Sequence, residues 1–455
     1  MGRLHCGIDI GTTNLKVVLI DEAGRQVATL TAPTPRQRDA FGPVTDAAKL
    51  VVTLEEMLAA AWRTAKADKP LASIATTGVG EDGIGVDAVL RPTGLAIPWF
   101  DDRAAAEAAA FDRYADEIAQ AGIRVDPSRT AAKWLWLKRN RPDELAAAKS
   151  WLALTDYPAA VWSGTPFMSE TLAARTACYD VYARRWIPVL LDHAGAPPLP
   201  VVRNAASVVG AVRSGALTEA GVADTRTVIA AGGHDHPVAA WAVRRIDPDA
   251  WLDSLGTANL CYSETVTRGR STLDPYLAFS VPVAGGTGIS CLGVFEFSAT
   301  LAPFGDLTDV LAGVALPGAP ARRPPLPRPE VCAAGGDIRA ALDACALYAR
   351  RMIDSAVAAG APPGQIVATG GWARSAALMK QRASVFGRPV KVVDEPELTA
   401  LSAALLGARG AGIDVPLETV RKSRVVEPVP AWVDAYDEIY AGFRPLLDDM
   451  VGRRM

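Results

Sequence analysis

Ile8-Asp9-Ile10-Gly11-Thr12-Thr13-Asn14-Leu15-Lys16-Val17-Val18 is a short apolar run that breaks at a Gly-Thr-Thr turn and resumes as a second alternating run. This pattern predicts a β-hairpin with a tip built to meet a ligand. Gly11 lets the chain turn without a Cβ and lets a bound group come close. Thr12 and Thr13 set hydroxyl donors beside unpaired main-chain amides, a combination that suits phosphate. Asp9, at the end of the first strand, is placed for an acidic group holding a metal through water, since Mg²⁺ keeps much of its hydration shell. Taken alone, the stretch reads equally well as an ordinary surface hairpin, and the rest of the chain has to decide.

Working outward, the hairpin continues through the Asp21-Glu22-Ala23-Gly24 turn into Arg25–Leu30, giving three consecutive antiparallel strands. Thr45 or Asp46 can cap a helix with apolar positions Leu50, Leu54, Met57, Leu58 and Ala61 at helical spacing, and a strand over 71–77 follows. The order β-β-β-α-β predicts a mixed sheet with helices packed on it. A Gly-rich acidic loop, Gly78-Val79-Gly80-Glu81-Asp82-Gly83, leads to a strand over 84–90 and then to Trp99 and Asp101-Asp102-Arg103. Helices are expected from there to about residue 193, with Lys133-Trp134-Leu135-Trp136-Leu137-Lys138 read as a packed helix. A strand over 227–231 runs into Gly232-Gly233-His234-Asp235-His236-Pro237.

A second strand, Gly-Thr, strand unit lies at Asp253-Ser254-Leu255-Gly256-Thr257-Ala258-Asn259-Leu260. Two such tips arise by chance or mark two related domains. Residues 315–329, rich in Pro and Arg, read as a loop or linker. A long amphipathic helix around Ile338–Ile353, a strand over 365–369 entering Gly370-Gly371-Trp372-Ala373-Arg374-Ser375, a strand over 389–393, and helices from about Glu397 and Val433 complete the chain.

At 455 residues, half of them apolar, the chain has material for two or more domains, and a disordered class is excluded. A net charge of −3 with interspersed signs lacks the basic surface that nucleic-acid binding needs. Six cysteines without a C-x-x-C pair fit reduced thiols. No signal-like segment and no stretch of about 18 apolar residues is present, so a cytoplasmic protein with no membrane partner is expected.

Four places share one layout, glycines at the mouth of a strand with polar groups beside them: Asp9–Asn14, Gly232–His236, Gly256–Asn259 and Gly370–Ser375. Free amides at such strand ends suit nucleotide phosphates. Neither G-x-x-x-x-G-K-[ST] nor, after the first strand, G-x-G-x-x-G is present, so the nucleotide fold is another one. In this order the motifs resemble the FGGY carbohydrate kinase family, within the sugar kinase, actin and Hsp70 superfamily. Asp9-Ile10-Gly11-Thr12-Thr13 looks like that family's first phosphate loop, with Asn14 and Lys16 beside it, and Ser254-Leu255-Gly256-Thr257 looks like the second. Gly370, Gly371, Arg374 and Ser375 fall in what looks like the adenosine motif.

The resemblance implies an α/β fold of two actin-like (ribonuclease H-like) domains, residues 1–246 and 247–455, each a mixed β-sheet flanked by helices, with the active site in the interdomain cleft. It implies ATP and Mg²⁺ as cofactors, Asp9 near the metal, and Asp235 as the catalytic base that takes the substrate hydroxyl's proton. Asp235 reads also as a helix N-cap, and the two roles are compatible. His236 stands where relatives carry a residue that touches the sugar, and His234 reads as structural or as a sugar contact.

Glu81, Asp82 and Trp99 align with pocket residues, acidic groups suiting polyol hydroxyls and an aromatic face suiting C–H surface. As departures, a longer loop of many relatives is replaced by the Pro-Arg stretch near 317–329, and Asp126 lies near the position of a tyrosine of glycerol kinases. The implied substrate is a small ketose or polyol, leaning to four or five carbons, and a homodimer is compatible with the family. Two other functions stay open at this point: an actin- or Hsp70-like ATPase acting on protein, and a sugar-binding regulator without catalysis.

Overall fold

In the computed structural model, which describes residues 2–267, 269, 273–305, 320–335, 337–417 and 423–452, His5–Ile10 (β1) is buried along nearly its whole length. It pairs antiparallel with Asn14–Ile20 (β2), which sets Asp9 opposite Lys16, and Gln26–Pro33 (β3) pairs antiparallel with β2. Ser73–Gly78 (β4) runs parallel to the other side of β1. Val208–Ala211 (β5) and Val228–His234 (β6) complete a six-stranded sheet in the order β5-β6-β4-β1-β2-β3. The helix Ala47–Thr64 starts where the Asp46 carboxylate accepts from the Lys49 N–H, and it buries Leu50, Leu54, Leu58 and Ala61 against β2 and β3. The helix Leu398–Gly410 lies on β1, β4 and β6. It sits so close that a Cβ on Gly7 would stand 1.8 Å from the Ala400 carbonyl oxygen, and only glycine fits there.

The second sheet is built alike. Trp251–Leu255 (β7) and Asn259–Glu264 (β8) form the hairpin, with Ala278–Ser280 (β9) and Ser290–Phe295 (β10) beyond β8. Ile366–Thr369 (β11) and Val390–Val393 (β12) continue parallel from β7, and Ser423–Val426 (β13) closes the edge antiparallel. The order is β9-β10-β8-β7-β11-β12-β13. Setting β9 aside, the two sheets have the same order and directions: three antiparallel strands, two further parallel strands, one antiparallel edge. The repeated Gly-Thr tip is therefore one part of a repeated α/β unit.

Under β7, Arg382 of the helix Ala376–Phe386 donates through Nε and Nη2 to Asp253 at 2.7 and 2.8 Å and through Nη2 to Asn259 at 3.0 Å. A charge with no exposure is held there by a carboxylate and an amide oxygen, although Nη1 stays buried without a hydrogen-bond partner.

The chain divides into two units. One comprises Met1–Ala242 with Ser280–Ile289 and Glu397–Glu418; the other comprises Val243–Phe279, Ser290–Pro396 and Thr419–Met455. Segments 280–289 and 397–418, which a single cut after residue 246 assigns to the second half, thus belong with the first. The strand expected over 84–90 is shorter, Gly83–Val86, and pairs with Ser150–Ala153 outside the main sheet. It ends because the Asp87 carboxylate accepts from the Val89 and Arg91 N–H groups and closes a turn. Of the Pro-Arg stretch, 317–319 lie outside the described residues; 320–328 are irregular, and a helix, Pro329–Gly335, starts at its end. Among the described residues no helix is long and apolar enough to cross a membrane.

Candidate active site

The first tip is held by its carbonyls. Gly11 N–H donates to Asn14 O at 3.1 Å, Thr34 Oγ1 to Gly11 O at 2.8 Å, and Thr34 N–H to Thr13 O at 3.0 Å. Arg36 donates through Nε and Nη2 to Thr12 O at 3.0 and 2.8 Å, and the Trp99 indole donates to Thr12 Oγ1 at 2.8 Å. The N–H groups of Thr12 and Thr13 find no acceptor among the described residues. Free amides in a fixed turn form a cradle for an anion.

The second tip repeats the device. Gly256 N–H donates to Ala258 O at 3.0 Å, Ser298 N–H to Thr257 O at 2.9 Å and Ser298 Oγ to Gly256 O at 3.3 Å. Thr34 and Ser298 thus play the same part, each just past the strand that pairs with the second strand of its hairpin. The acid is not repeated: Ser254 stands two residues before Gly256, as Asp9 stands two before Gly11. Gly370, at φ +94°, crosses the end of β7, where a Cβ would come within 2.3 Å of Leu255 O. Ser375 caps the helix Ala376–Phe386, and Arg374 makes an exposed pair with Asp394 at 3.3 Å. Gly370, Ala373, Arg374, Asp394 and Arg424 line a groove of about 360 Å³ floored by Val392 and Val393.

In the first unit the strand ends converge. Asp9, Thr77 and Gly233 lie abreast on β1, β4 and β6. β6 bulges at its glycines. Gly233 O accepts from Thr77 Oγ1 at 2.8 Å, His234 N–H donates to Thr171 Oγ1 at 2.9 Å, and a Cβ on Gly232 would meet Thr76 O at 1.9 Å. This delivers Asp235 to the first position of the helix Asp235–Arg244. Its Oδ1 accepts from the His236 N–H at 2.6 Å. Burial pushes the Asp235 carboxyl up to about 7; the His236 N–H works against this, and the Glu81 charge works with it.

Asp9 is pushed up to about 8, by burial first and then by repulsion from Asp235, with Lys16 opposing. Its Oδ1 is buried without a hydrogen-bond partner. Lys16 pairs with Glu397 at 2.8 Å, at the start of the helix Leu398–Gly410.

Glu81 is engaged by protein. Arg175 donates to its Oε1 through Nε at 2.7 Å and also through Nη2, and Arg129 Nη1 lies 3.5 Å away. Despite burial, the two guanidinium groups hold this carboxyl far below the usual range. Asp82 differs. Both its oxygens are buried without a normal hydrogen bond, and Lys133 Nζ stands 3.9 Å from Oδ1. Burial raises it to about 6, against Lys133 and Arg36. Lys133 itself donates to the carbonyls of Glu81 at 3.1 Å and Ile97 at 3.0 Å, tying the Gly-rich loop to the segment that carries Trp99, a side chain left 37% exposed. His234 and His236 flank Asp235, and both imidazoles are pushed down by burial first and then by Arg175, His236 to about 4.

The structure therefore gathers Asp9, the Gly11–Thr13 tip, Lys16, Glu81, Asp82, Trp99, Asp235 and His236 in the first unit. Gly256, Thr257, Gly370, Gly371, Arg374 and Ser375 lie in the second. Thr34, Arg36, Arg129, Lys133, Arg175 and Glu397 were not singled out as site residues from the sequence. Only Lys133, a charge inside an otherwise apolar helix face, carried a local signal.

Two family models match: the N-terminal domain of the FGGY family of carbohydrate kinases over residues 4–242 and its C-terminal domain over 312–411. The chain is 26% identical to a xylulose kinase of Escherichia coli over 273 residues, 57% of this chain and 54% of that protein. It is 26% identical to a xylulose kinase of Streptomyces coelicolor over 441 residues, 90% and 88% of the two chains. The match thus spans about half the length of the first of these relatives. A crystal structure described as a xyloylose kinase from Brucella ovis shares the fold at a TM-score of 0.85 and 23% identity, over 98% of this chain and 99% of that one. The chain belongs to the FGGY family of carbohydrate kinases.

Proposed function

We propose that the chain is an ATP- and Mg²⁺-dependent kinase that phosphorylates a hydroxyl of a small ketose or polyol, with Asp235 as general base. The observation that carries this reading is the placement of Asp235, which the β6 bulge sets at the first position of a helix, on the strand next but one to that of Asp9; burial also pushes its carboxyl up, toward the range that suits a base at neutral pH. Asp235 accepts the proton of the attacking hydroxyl while that oxygen bonds the γ-phosphorus and the bond to the ADP oxygen breaks. The Gly11–Thr13 and Gly256–Thr257 tips act as phosphate cradles through the amides their turns leave free, those of Thr12 and Thr13 in the first, and the groove beside Gly370 takes the nucleoside. A divalent cation fits beside Asp9: Oδ1 is buried and unpartnered, and Asp9, Asp235 and Glu397 set three carboxylates about Lys16. Bound there, Mg²⁺ would neutralise phosphate charge. Asp82 and Trp99 face the sugar, while Glu81 holds Arg175 and Arg129 in place. The relatives' names make xylulose and other ketopentoses the first substrates to try. Six unpaired, buried thiols suit a cytoplasmic setting.

The test is a coupled ADP-release assay with ATP, Mg²⁺ and a panel of tetroses, pentoses, hexoses and their polyols. Turnover of at least one compound at roughly 1–100 s⁻¹ is expected. ATP hydrolysis that no sugar stimulates but an unfolded protein does would sink the proposal in favour of a protein-directed ATPase.

Arg36 is expected to act chiefly on the nucleotide side, since its hydrogen bonds go to the first tip while Asp82 feels it only through its charge. Arg36→Ala removes two charge-assisted hydrogen bonds from the Thr12 carbonyl. Bonds to charged groups contribute about 1.5–3 kcal/mol each, so KM for ATP should rise by about tenfold or more while KM for the sugar changes little. Initial rates with each substrate varied in turn decide this, and equal rises in both constants would contradict it.

A further inference from the structure

Two imidazole nitrogens and one carboxylate oxygen, from His234, Asp235 and His236, lie within 4.8 Å of one another. His234 Nε2 stands 3.3 Å and His236 Nδ1 3.6 Å from Asp235 Oδ1. In a tetrahedral site with bonds of about 2.0–2.1 Å, neighbouring ligand atoms are about 3.3–3.4 Å apart, so both N···O edges are close to the spacing such an ion needs. The backbone already fixes the three residues. His234 N–H is bound by Thr171, its ring packs against Gly80, whose Cβ would lie 2.9 Å from Cδ2, and Asp235 opens a helix. Neither ligating nitrogen donates to or accepts from another side chain or carbonyl among the described residues. The nearby Arg175 is bound to Glu81, which offsets its repulsion of a cation.

We propose that His234, Asp235 and His236 form a chelating site for a borderline divalent cation of the zinc type, whose occupancy takes Asp235 out of service as a base. Two imidazoles favour such ions over Mg²⁺, which selects oxygen ligands. Three protein ligands leave a fourth position open to water or a substrate hydroxyl. The site rests on geometry alone; only its effect on turnover rests on the kinase reading.

The experiment is a zinc titration of the metal-stripped full-length protein by calorimetry, without sugar or nucleotide, so that the outcome does not depend on catalysis. One zinc per chain is expected, with His236→Asn and His234→Gln each weakening binding by at least about tenfold and His193→Gln leaving it unchanged. His236 is 39% exposed at its side chain, so its variant should fold, and a matching thermal melt without metal checks this. Absence of saturable binding, or a folded His236→Asn protein that binds zinc as the wild type does, overturns the proposal.

Discussion

Asp235→Asn lowers kcat/KM for the sugar by about 100- to 10,000-fold, the range a positioned general base contributes, while an ATP analogue still binds. The amide keeps an oxygen for the His236 N–H but cannot take a proton. In the wild type, kcat/KM should fall as pH drops through about 7, because the carboxyl, raised chiefly by its burial, becomes protonated there. The variant's residual rate should lack this limb. Stability moves the other way. The native pKa exceeds the unfolded value of 3.8, so the native state binds the proton more tightly. The group's contribution to folding is thus fully present below about 4 and is lost as pH rises to about 7. Asn stays neutral, so at pH 8 the variant should melt higher. The side chain is 19% exposed and keeps one hydrogen bond, which limits the gain to about 1–2 kcal/mol, or roughly 2–6 °C. Near-normal turnover by Asp235→Asn would remove Asp235 from the catalytic role.

Both phosphate-type tips were legible in the sequence because their signals are local. A strand alternation, a glycine and a threonine within eleven residues state the hairpin and its tip together, and the repeat at Gly256 states the second unit. Asp235 was singled out by the resemblance, which places an aspartate after a Gly-Gly pair, and the bulge on β6 explains the need for that pair: a Cβ on Gly232 would enter the Thr76 carbonyl. The braces were not legible. Thr34 and Ser298 reach their tips only through strand register, and nothing in either local sequence marks them. Arg129 and Arg175 become partners of Glu81 across 48 and 94 positions, a pairing that no periodicity encodes. Glu81 is aligned by the resemblance with a sugar-contacting residue, and the arginines beside it are what the sequence did not show, since an acidic residue in a Gly-rich loop does not announce the cations that will engage it. Strands 208–211, 278–280, 290–295 and 423–426 went unread because each is short and carries no sustained alternation, and it becomes a strand only by pairing with a neighbour already in place.

Glu81→Gln tests that proposed role, and a large loss of stability is expected from it. Glu81 is 6% exposed, and its Oε1 carries the charge that two buried guanidinium groups share. Gln keeps the shape and an acceptor oxygen but leaves Arg129 and Arg175 with less compensation. Removing one partner of a buried ion pair costs about 3–5 kcal/mol, against well under 1 kcal/mol for a solvent-facing carboxylate. For a unit of this size that lowers Tm by roughly 10 °C. Because the Glu81 pKa is held far below normal by the arginines, the stability it supplies is present above the unfolded carboxylate range and is lost only in acid, so the deficit of the variant should persist at neutral pH. The catalytic readout is separate. Glu81 raises the Asp235 pKa and Arg175 lowers it. Without Glu81 the arginine acts unopposed, and the acid limb of kcat/KM should move to lower pH. A sugar ligand alone would behave otherwise, with KM for the sugar rising while the acid limb and Tm stay in place. Thermal melts combined with pH–rate profiles of the one variant therefore separate a residue that touches the substrate from one that orients the arginines beside the base.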